Sequence, residues 1–180
     1  MTAIPELPSP FEEKQYITFG VDAGLRYTGV AWRECGVYKV VQVNNTCPEF
    51  SLVPLTSAEA IVKTIKDIAS GKKIFLVIED FAFGGTFNVQ QGEMIGALKY
   101  LIKTDKQFKG AAFLAPNTAK KLVTGSGKAT KGKVKKAAET ISSQKLASSH
   151  VADAVAILYS YQQVYDKPSA SMYRRAMIKN

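Results

Sequence analysis

The sequence predicts an α/β fold in which helices cover both faces of one mixed five-stranded sheet. Three apolar runs with strand character open the chain, and later apolar runs alternate with segments of helical periodicity. Residues 74–78 are apolar at every position, which is typical of a central strand covered on both faces. A meander followed by alternating strands and helices gives a mixed sheet. A chain of 180 residues, 46% of them hydrophobic, is long enough for one well-buried core.

The first three strands are predicted to form an antiparallel meander. The first, at residues 15–22, is an apolar run that ends in the tight-turn signal Asp22-Ala23-Gly24. The second and third, at residues 28–34 and 37–43, are separated only by Cys35-Gly36, which favours a hairpin turn.

Helices and strands alternate in the rest of the chain. Ser57 is the predicted N-cap of a helix that ends near Ser70, because Gly71 follows. The other predicted elements are strands at 74–78 and 111–114 and helices at 89–103, 118–123, 133–143 and 148–164. The predicted organisation is a flexible N-terminal extension at 1–14, one folded domain at 15–165 and a basic C-terminal tail at 166–180.

Composition limits the classes of protein to which the chain can belong. Neither the N-terminal segment nor any later one has an apolar run long enough for a signal peptide or a membrane span, so we expect a cytoplasmic protein without a membrane partner. Cys35 and Cys47 lack metal-ligand spacing and are expected to be reduced packing residues without a functional role.

The formal net charge of +9 indicates a polyanionic partner. Seven lysines and no acid lie between residues 120 and 136. They are Lys120, Lys121, Lys128, Lys131, Lys133, Lys135 and Lys136. Such a run is most often a solvated loop and helix face. The tail adds Arg174, Arg175 and Lys179, again without an acid, so two basic segments flank the last predicted helix.

Acidic side chains follow two of the predicted strands. Asp22 ends the first strand and Glu79 ends the fourth, so they meet at one sheet edge if these strands are neighbours. His150 and Asp153 share one face of the last helix because they are three positions apart. Carboxylates gathered in this way repel one another and need cations, of which magnesium is the first candidate. The pattern predicts a metal-dependent nuclease.

Each of these residues also has a structural interpretation. Asp22 could accept backbone N–H bonds in its turn, Glu79 could pair with a lysine, and His150 could be a polar residue at a helix start. Asp153 is harder to explain in this way, because it lies within the apolar stretch VADAVAIL, where a carboxylate without a partner is costly.

Three segments together resemble a known family. GVDAGLRYTGVA, VIEDFAFG and HVADAVAIL, in this order and at these separations, resemble the RuvC family of Holliday-junction resolvases, within the RNase H-like superfamily. The resemblance covers about residues 16–160. The segment KKLVTGSGKATKGKV also resembles the DNA-contacting segment of the family, with Lys120 and Lys131 on its basic positions.

The resemblance implies an RNase H-like fold and hydrolysis of phosphodiester bonds by two Mg²⁺ ions about 3.5–4 Å apart, for which Mn²⁺ could substitute. It implies that Asp22 bridges both ions and that Glu79 and Asp153 each help to hold one. His150 would be a metal ligand or would orient the attacking water. The residues implied to bind DNA are Lys120, Lys121, Lys128, Lys131 and Lys133, with Phe81 or Phe83 stacking on opened bases.

The resemblance also implies a partner and an assembly. The expected substrate is branched DNA, four-way junctions in particular, in recombination, repair or phage DNA processing. The expected assembly is a symmetric homodimer whose interface is the helix with Gln90 to Leu101, where Gly92 and Gly96 allow close approach. The additional N-terminal residues and basic tail fit a phage-type member, acting in the cytoplasm of a bacterium or a phage-infected host cell.

Two other classes of protein remain as alternatives. A non-catalytic DNA-binding module of the same fold would keep the lysines but would have no reason to keep four metal-type residues. A nucleotide-binding ATPase of the actin and sugar-kinase type also has a DxG after its first strand. It needs a second phosphate-binding DxG and about twice the length.

Overall fold

The computed structural model of the protein describes residues 16–80, 89–165 and 178–179. Its first three strands form the predicted meander, β1 (Tyr16–Asp22), β2 (Tyr27–Glu34) and β3 (Val37–Asn44). Between β2 and β3, Cys35 and Gly36 have φ angles of 49° and 81°. Positive φ at both central residues gives a hairpin turn that matches the twist of the strands.

The remaining elements alternate as the sequence predicts, with longer helices at several positions. A short 3₁₀ turn at Phe50–Leu52 leads into α1. The elements that follow are α1 (Val53–Ala69), β4 (Lys73–Glu79), α2 (Val89–Thr104), β5 (Phe108–Leu114), α3 (Pro116–Thr124), α4 (Lys131–Ser142), α5 (Ser149–Tyr165) and β6 (Ile178–Lys179). Within the described part of the chain, no helix has the length and apolar character that crossing a membrane would require.

The strands form one mixed sheet in the order β3-β2-β1-β4-β5-β6. β4 lies parallel to β1 on one side and to β5 on the other, whereas the other neighbouring pairs are antiparallel. The predicted mixed five-stranded sheet is therefore confirmed. The two-residue strand β6 adds to its β5 edge, from within the segment predicted as the basic tail.

Helices cover both faces of the sheet, and β4 shows this most clearly. Its residues 74–78 are at most 2% exposed, as expected of a strand that is covered on both sides. Ile74, Leu76 and Ile78 pack in one core with α1 and α2. Phe75 and Val77 point the other way and pack in a second core with α3 and α5.

The prediction that Ser57 caps α1 is wrong. The helix begins four residues earlier, at Val53, and Pro54 occupies its first turn, where a missing N–H costs nothing. Ser57 lies inside the helix with 2% of its surface exposed, and its hydroxyl donates a hydrogen bond to the carbonyl of Gly24 at 2.9 Å. The serine thus connects α1 to the turn after β1.

Two glycines allow α5 to lie directly on the sheet. A Cβ at Gly20 of β1 would be 2.7 Å from the Cβ of Leu158. A Cβ at Gly29 of β2 would overlap the carbonyl group of His150 and lie 2.7 Å from the backbone nitrogen of Val151. Because both positions lack a Cβ, residues 150–158 of α5 rest on the main chain of β1 and β2.

Candidate active site

The parallel pairing of β1 and β4 brings the first two predicted site residues to the same edge. Val21 is opposite Ile78 in the register, so Asp22 and Glu79 follow at the carboxyl ends of adjacent strands. This edge is where parallel sheets commonly bind ligands. The sequence predicts that these two carboxylates meet only if the first and fourth strands are neighbours. The structure shows that these strands are neighbours.

A buried threonine closes the turn after Asp22. Thr28, 1% exposed, accepts a hydrogen bond from the backbone nitrogen of Gly24 and donates one to the Gly24 carbonyl, each at 3.1 Å. Buried hydroxyl groups stabilise a structure only when they are bonded in this way. The backbone that carries Asp22 is therefore fixed by the strand that follows it.

Helices α1 and α2 hold the same turn from the other side. Ser57 of α1 bonds the Gly24 carbonyl, and the side-chain amide of Gln91 in α2 donates to the carbonyl of Ala23 at 2.7 Å. Three side chains from different elements thus fix a two-residue segment. Such support is what a binding or catalytic carboxylate requires if its position is to be defined within a fraction of an ångström.

Asp22 and His150 are in direct contact although they are 128 residues apart in the sequence. The Nδ1 atom of His150 lies 2.8 Å from Oδ2 of Asp22. An ionised carboxylate can only accept, so Nδ1 carries the hydrogen and, in the neutral imidazole, Nε2 keeps its lone pair. The side chains are 14% and 35% exposed, respectively, so the pair lies at the border between core and solvent.

Tyr27 covers the imidazole of His150. The two ring centroids are 6.0 Å apart and the ring planes are inclined by 27°, which is an offset stack. Tyr27 is nevertheless 52% exposed. It is thus a surface aromatic residue that uses part of its ring to contact a candidate site residue.

Glu79 and Asp153 join Asp22 in one acidic cluster. Burial, and then the charges of Asp22 and Asp153, raise the pKa of the Glu79 carboxyl to about 8. A side-chain hydrogen bond to Asp22 contributes to the same shift. Burial and the charge of Asp22 raise the pKa of Asp153 to about 6. A bound cation would offset the repulsion that disfavours ionisation of Glu79 and Asp153.

Two of the predicted DNA-binding lysines act on this cluster. The ammonium group of Lys120, in α3, lowers the pKa of both Glu79 and Asp153, in opposition to burial. Lys131, at the start of α4, does the same for Asp153. Coulomb interactions weaken with distance and with solvent screening. Since both ammonium groups affect the pKa of these acids, they lie on the same side of the molecule as the acids.

Of the other predicted DNA-binding residues, the three lysines are among the described residues and the two phenylalanines are not. Lys121, Lys128 and Lys133 are exposed, in α3, the connecting loop and α4, respectively. Phe81 and Phe83 lie outside the described residues. The structure thus brings six predicted site residues to one end of the sheet: Asp22, Glu79, His150, Asp153, Lys120 and Lys131. The three other lysines are exposed on the adjoining elements.

The donor types of the cluster fit a hard divalent cation. Three carboxylates supply the oxygen atoms that Mg²⁺ prefers, and a histidine nitrogen is compatible with Mn²⁺. Over residues 16–80, 89–165 and 178–179, no three His, Cys, Asp or Glu side chains are close enough to make a preformed metal cluster. Instead, the Asp22 side chain is hydrogen-bonded to His150 and to Glu79. A bound cation could take the place of the shared hydrogens and link the same side chains.

Sequence reasoning missed the residues that support the site. Gln91 belongs to no recognised pattern, Tyr27 has no predicted role, and the sequence predicts an N-cap role for Ser57. A signal was present for Thr28 and Gly29, since this Thr-Gly pair is part of the segment that carries the family resemblance. Gly29 leaves space for the main chain of His150, and this role becomes visible only from the packing of α5.

Strand order, helices on both faces and an acidic edge on the central strands define an RNase H-like α/β fold. The same fold is found in a solved structure of Thermus thermophilus RuvC, with a TM-score of 0.62 and 19% sequence identity over 81% of this chain and 93% of that one. T. thermophilus RuvC in complex with Holliday junction substrate matches with a TM-score of 0.61 and 19% identity, over 82% and 93% of the two chains. The sequence-based resemblance to RuvC is thus confirmed at the level of the fold. No protein-family model and no curated protein sequence matches the chain.

Proposed function

We propose that this protein is a metal-dependent endonuclease that cuts branched DNA, four-way junctions in particular. The observation that carries the proposal is the cluster of Asp22, Glu79 and Asp153, whose carboxyl groups come from β1, β4 and α5. The charge of Asp22 helps to raise the pKa of both Glu79 and Asp153. Burying three acids together is unfavourable unless a bound cation offsets their repulsion. The RuvC-like fold supports the choice of substrate.

In the proposed mechanism Asp22, Glu79 and Asp153 would hold two divalent cations through carboxylate oxygens, Mg²⁺ by preference. Such cations, when bound, would supply activation of the attacking water and stabilisation of the leaving 3′ oxygen. His150, whose Nδ1 is bonded to Asp22, offers Nε2 to accept a proton from that water or to orient it. The water oxygen forms a bond to phosphorus as its proton leaves to Nε2 or to solvent, the bond from phosphorus to the 3′ oxygen breaks, and the departing oxygen takes a proton from solvent water.

The lysine-rich elements beside the site are proposed as the DNA surface. Lys120 and Lys131 already interact electrostatically with the acidic cluster, so a phosphate that reaches the cluster also lies near their ammonium groups. Lys121, Lys128 and Lys133 extend the same positive region on exposed positions. Their contribution to affinity is expected to depend strongly on salt, because phosphate contacts release counterions.

A symmetric dimer through α2 is proposed as the active assembly. A Cβ at Gly96 would meet no atom within 4 Å, and Tyr100, one turn further on, is 68% exposed. An open glycine next to an exposed aromatic side chain suits the close approach of a second helix. Two copies of the site would then cut two strands of one junction, in the cytoplasm of a bacterium or a phage-infected cell.

A non-catalytic DNA-binding module is the second candidate, and the lysines alone would favour it equally. Such a module would have no use for a glutamate whose pKa is raised to about 8 by burial among other acids. The nucleotide-binding ATPase is disfavoured because the sequence lacks a second DxG of the required kind.

The test is cleavage of a labelled four-way junction, beside linear duplex of the same sequence, in Mg²⁺, Mn²⁺ or EDTA. We compare the wild type with Asp22→Asn, Glu79→Gln and Asp153→Asn. The matched control is Asp67→Asn, which makes the same chemical change at an exposed position of α1. We expect metal-dependent paired nicks from the wild type and the control. The three site variants should bind the junction as well or better without cutting it, since they lose negative charge.

Three other outcomes would change the proposal. Unchanged cutting by one site variant would remove that residue from the site. Equal cutting of forks and flaps would broaden the substrate to branched DNA in general. Junction binding without cutting by the wild type, in either metal, would overturn the nuclease proposal in favour of the non-catalytic module.

A further inference from the structure

Three consecutive residues of β2 each make a different contact at the site. Thr28 points to one face of the sheet and closes the turn after Asp22. Tyr27 and Gly29 point to the other face, towards the start of α5, as the alternation along a strand requires. Gly29 accommodates the main chain of His150, while Tyr27 contacts its side chain.

We propose that Tyr27 is a positioning residue that fixes the plane of the His150 imidazole through ring stacking. The hydrogen bond from Nδ1 to Asp22 fixes one edge of the imidazole but leaves the ring able to tilt about that bond. The terminal torsion of histidine has broad energy wells, so a single bond does not define the ring plane. The Tyr27 ring, inclined by only 27° to the imidazole, supplies the second constraint.

The exposure of the two side chains shows why this constraint is needed. His150 is 35% exposed, so the surrounding core does not enclose its ring. Tyr27 is 52% exposed and is the first residue of β2. Burial in the core therefore explains little of why an aromatic residue occupies this position. An aromatic residue in that place is best explained by what it covers.

The effect of this stack on DNA cleavage rests on the proposed function. With Nδ1 held by Asp22 and the ring plane held by Tyr27, Nε2 has one direction in which to offer its lone pair to the attacking water. Loss of the stack is expected to slow the chemical step, because a misdirected Nε2 is populated for part of the time. Binding of the junction should change little, since the imidazole is still present.

The experiment uses the fact that His150 is the one histidine of the chain. Its imidazole carbon-bound protons therefore give unambiguous NMR signals in the full-length protein. We compare the wild type with Tyr27→Leu, which removes the ring, and Tyr27→Phe, which keeps it and loses only the hydroxyl. Spectra are recorded in EDTA. Single-turnover junction cleavage and junction affinity are measured in Mg²⁺ on the same three proteins.

In the wild type and Tyr27→Phe, the ring current of residue 27 should displace the His150 signals equally, and the two proteins should cut alike. In Tyr27→Leu the ring-current displacement should vanish. Single-turnover cleavage should fall by about tenfold while the junction Kd stays within about twofold, as for the loss of a supporting contact. Denaturation followed by fluorescence of the single tryptophan, Trp32, checks that both variants are folded.

Two results would overturn the proposal. His150 signals in Tyr27→Leu identical to the wild type would show that no stack exists in solution. A loss of junction affinity with an unchanged rate of the chemical step would make Tyr27 a DNA contact instead. Because the spectra need neither DNA nor metal, they decide whether Tyr27 positions His150 even if the wild type cuts no DNA and the proposed function fails.

Discussion

Replacing Glu79 by glutamine should make the metal-free protein more stable at high pH. The carboxyl group titrates near its ordinary value of 4.5 in the unfolded chain and at about 8 in the folded protein. Below pH 4.5 both states are protonated and Glu79 has no effect on the pH dependence. As the pH rises from 4.5 to 8, the unfolded state loses its proton first, so stability falls.

The size of this effect follows from the two pKa values. The interval from 4.5 to about 8 corresponds to about 5 kcal/mol once both states are ionised. Between about pH 5.5 and about pH 8.5, Glu79 alone should lower the free energy of unfolding by about 3 kcal/mol. That is a large share of the roughly 5–15 kcal/mol by which small domains are stable.

The assay is urea unfolding in EDTA at the two pH values, followed by the fluorescence of Trp32. This residue is suitable because it packs against the core and lies 5.9 Å, between ring centroids, from the buried Phe19. With a typical dependence on urea, about 3 kcal/mol shifts the unfolding midpoint by about 1–3 M. The matched control is Glu59→Gln, an exposed glutamate on α1. Its pH profile should follow that of the wild type.

Divalent cations should reverse the effect. A cation bound between the carboxylates favours their ionised forms and stabilises only the folded state, so Mg²⁺ should stabilise the wild type more than Glu79→Gln. Parallel pH profiles of the wild type and Glu79→Gln in EDTA would refute the reasoning, because they would mean that Glu79 is not buried among other acids. Equal stabilisation of both proteins by Mg²⁺ would refute its role as a ligand.

Three further predictions concern the DNA surface, the packing of α5 and the assembly. Changing Lys120 and Lys131 together to alanine should weaken junction binding and reduce the slope of log K against log salt by about 2. The same change at the exposed Lys63 and Lys103 should not alter that slope, and an unaltered slope in the first variant would exclude both contacts. Gly29→Ala should push α5 away from β2, lower the free energy of unfolding by about 1–3 kcal/mol and abolish cleavage, as measured by urea unfolding and the junction assay. Gly132→Ala in α4, where a Cβ meets no atom within 4 Å, should instead stabilise by about 0.5–1 kcal/mol, and equal effects of the two changes would contradict the packing argument. Gly96→Glu should convert the proposed dimer to monomers in light scattering, while Gly132→Glu should not, and a wild type that is monomeric throughout would refute the proposed interface.

The sequence alone determined the elements and the chemical types of the site. Strand and helix periods depend on residues within one segment, so 74–78 could be recognised as a buried strand without knowledge of its neighbours. Asp22 and Glu79 are strand-end acids by position alone, and the run of lysines is visible in the sequence. The N-cap assignment of Ser57 failed because its hydroxyl is bonded to a residue 33 positions away rather than to its own helix.

Only the tertiary structure decided which of these residues meet and what holds them. Strand order places β4 beside β1, and two missing Cβ atoms let α5 approach closely enough for His150 to reach Asp22. The stack of Tyr27 on His150 joins residues whose sequence separation gives no signal in any local pattern. Such contacts follow from the packing of whole elements against one another, and local periodicity carries no information about which elements become neighbours.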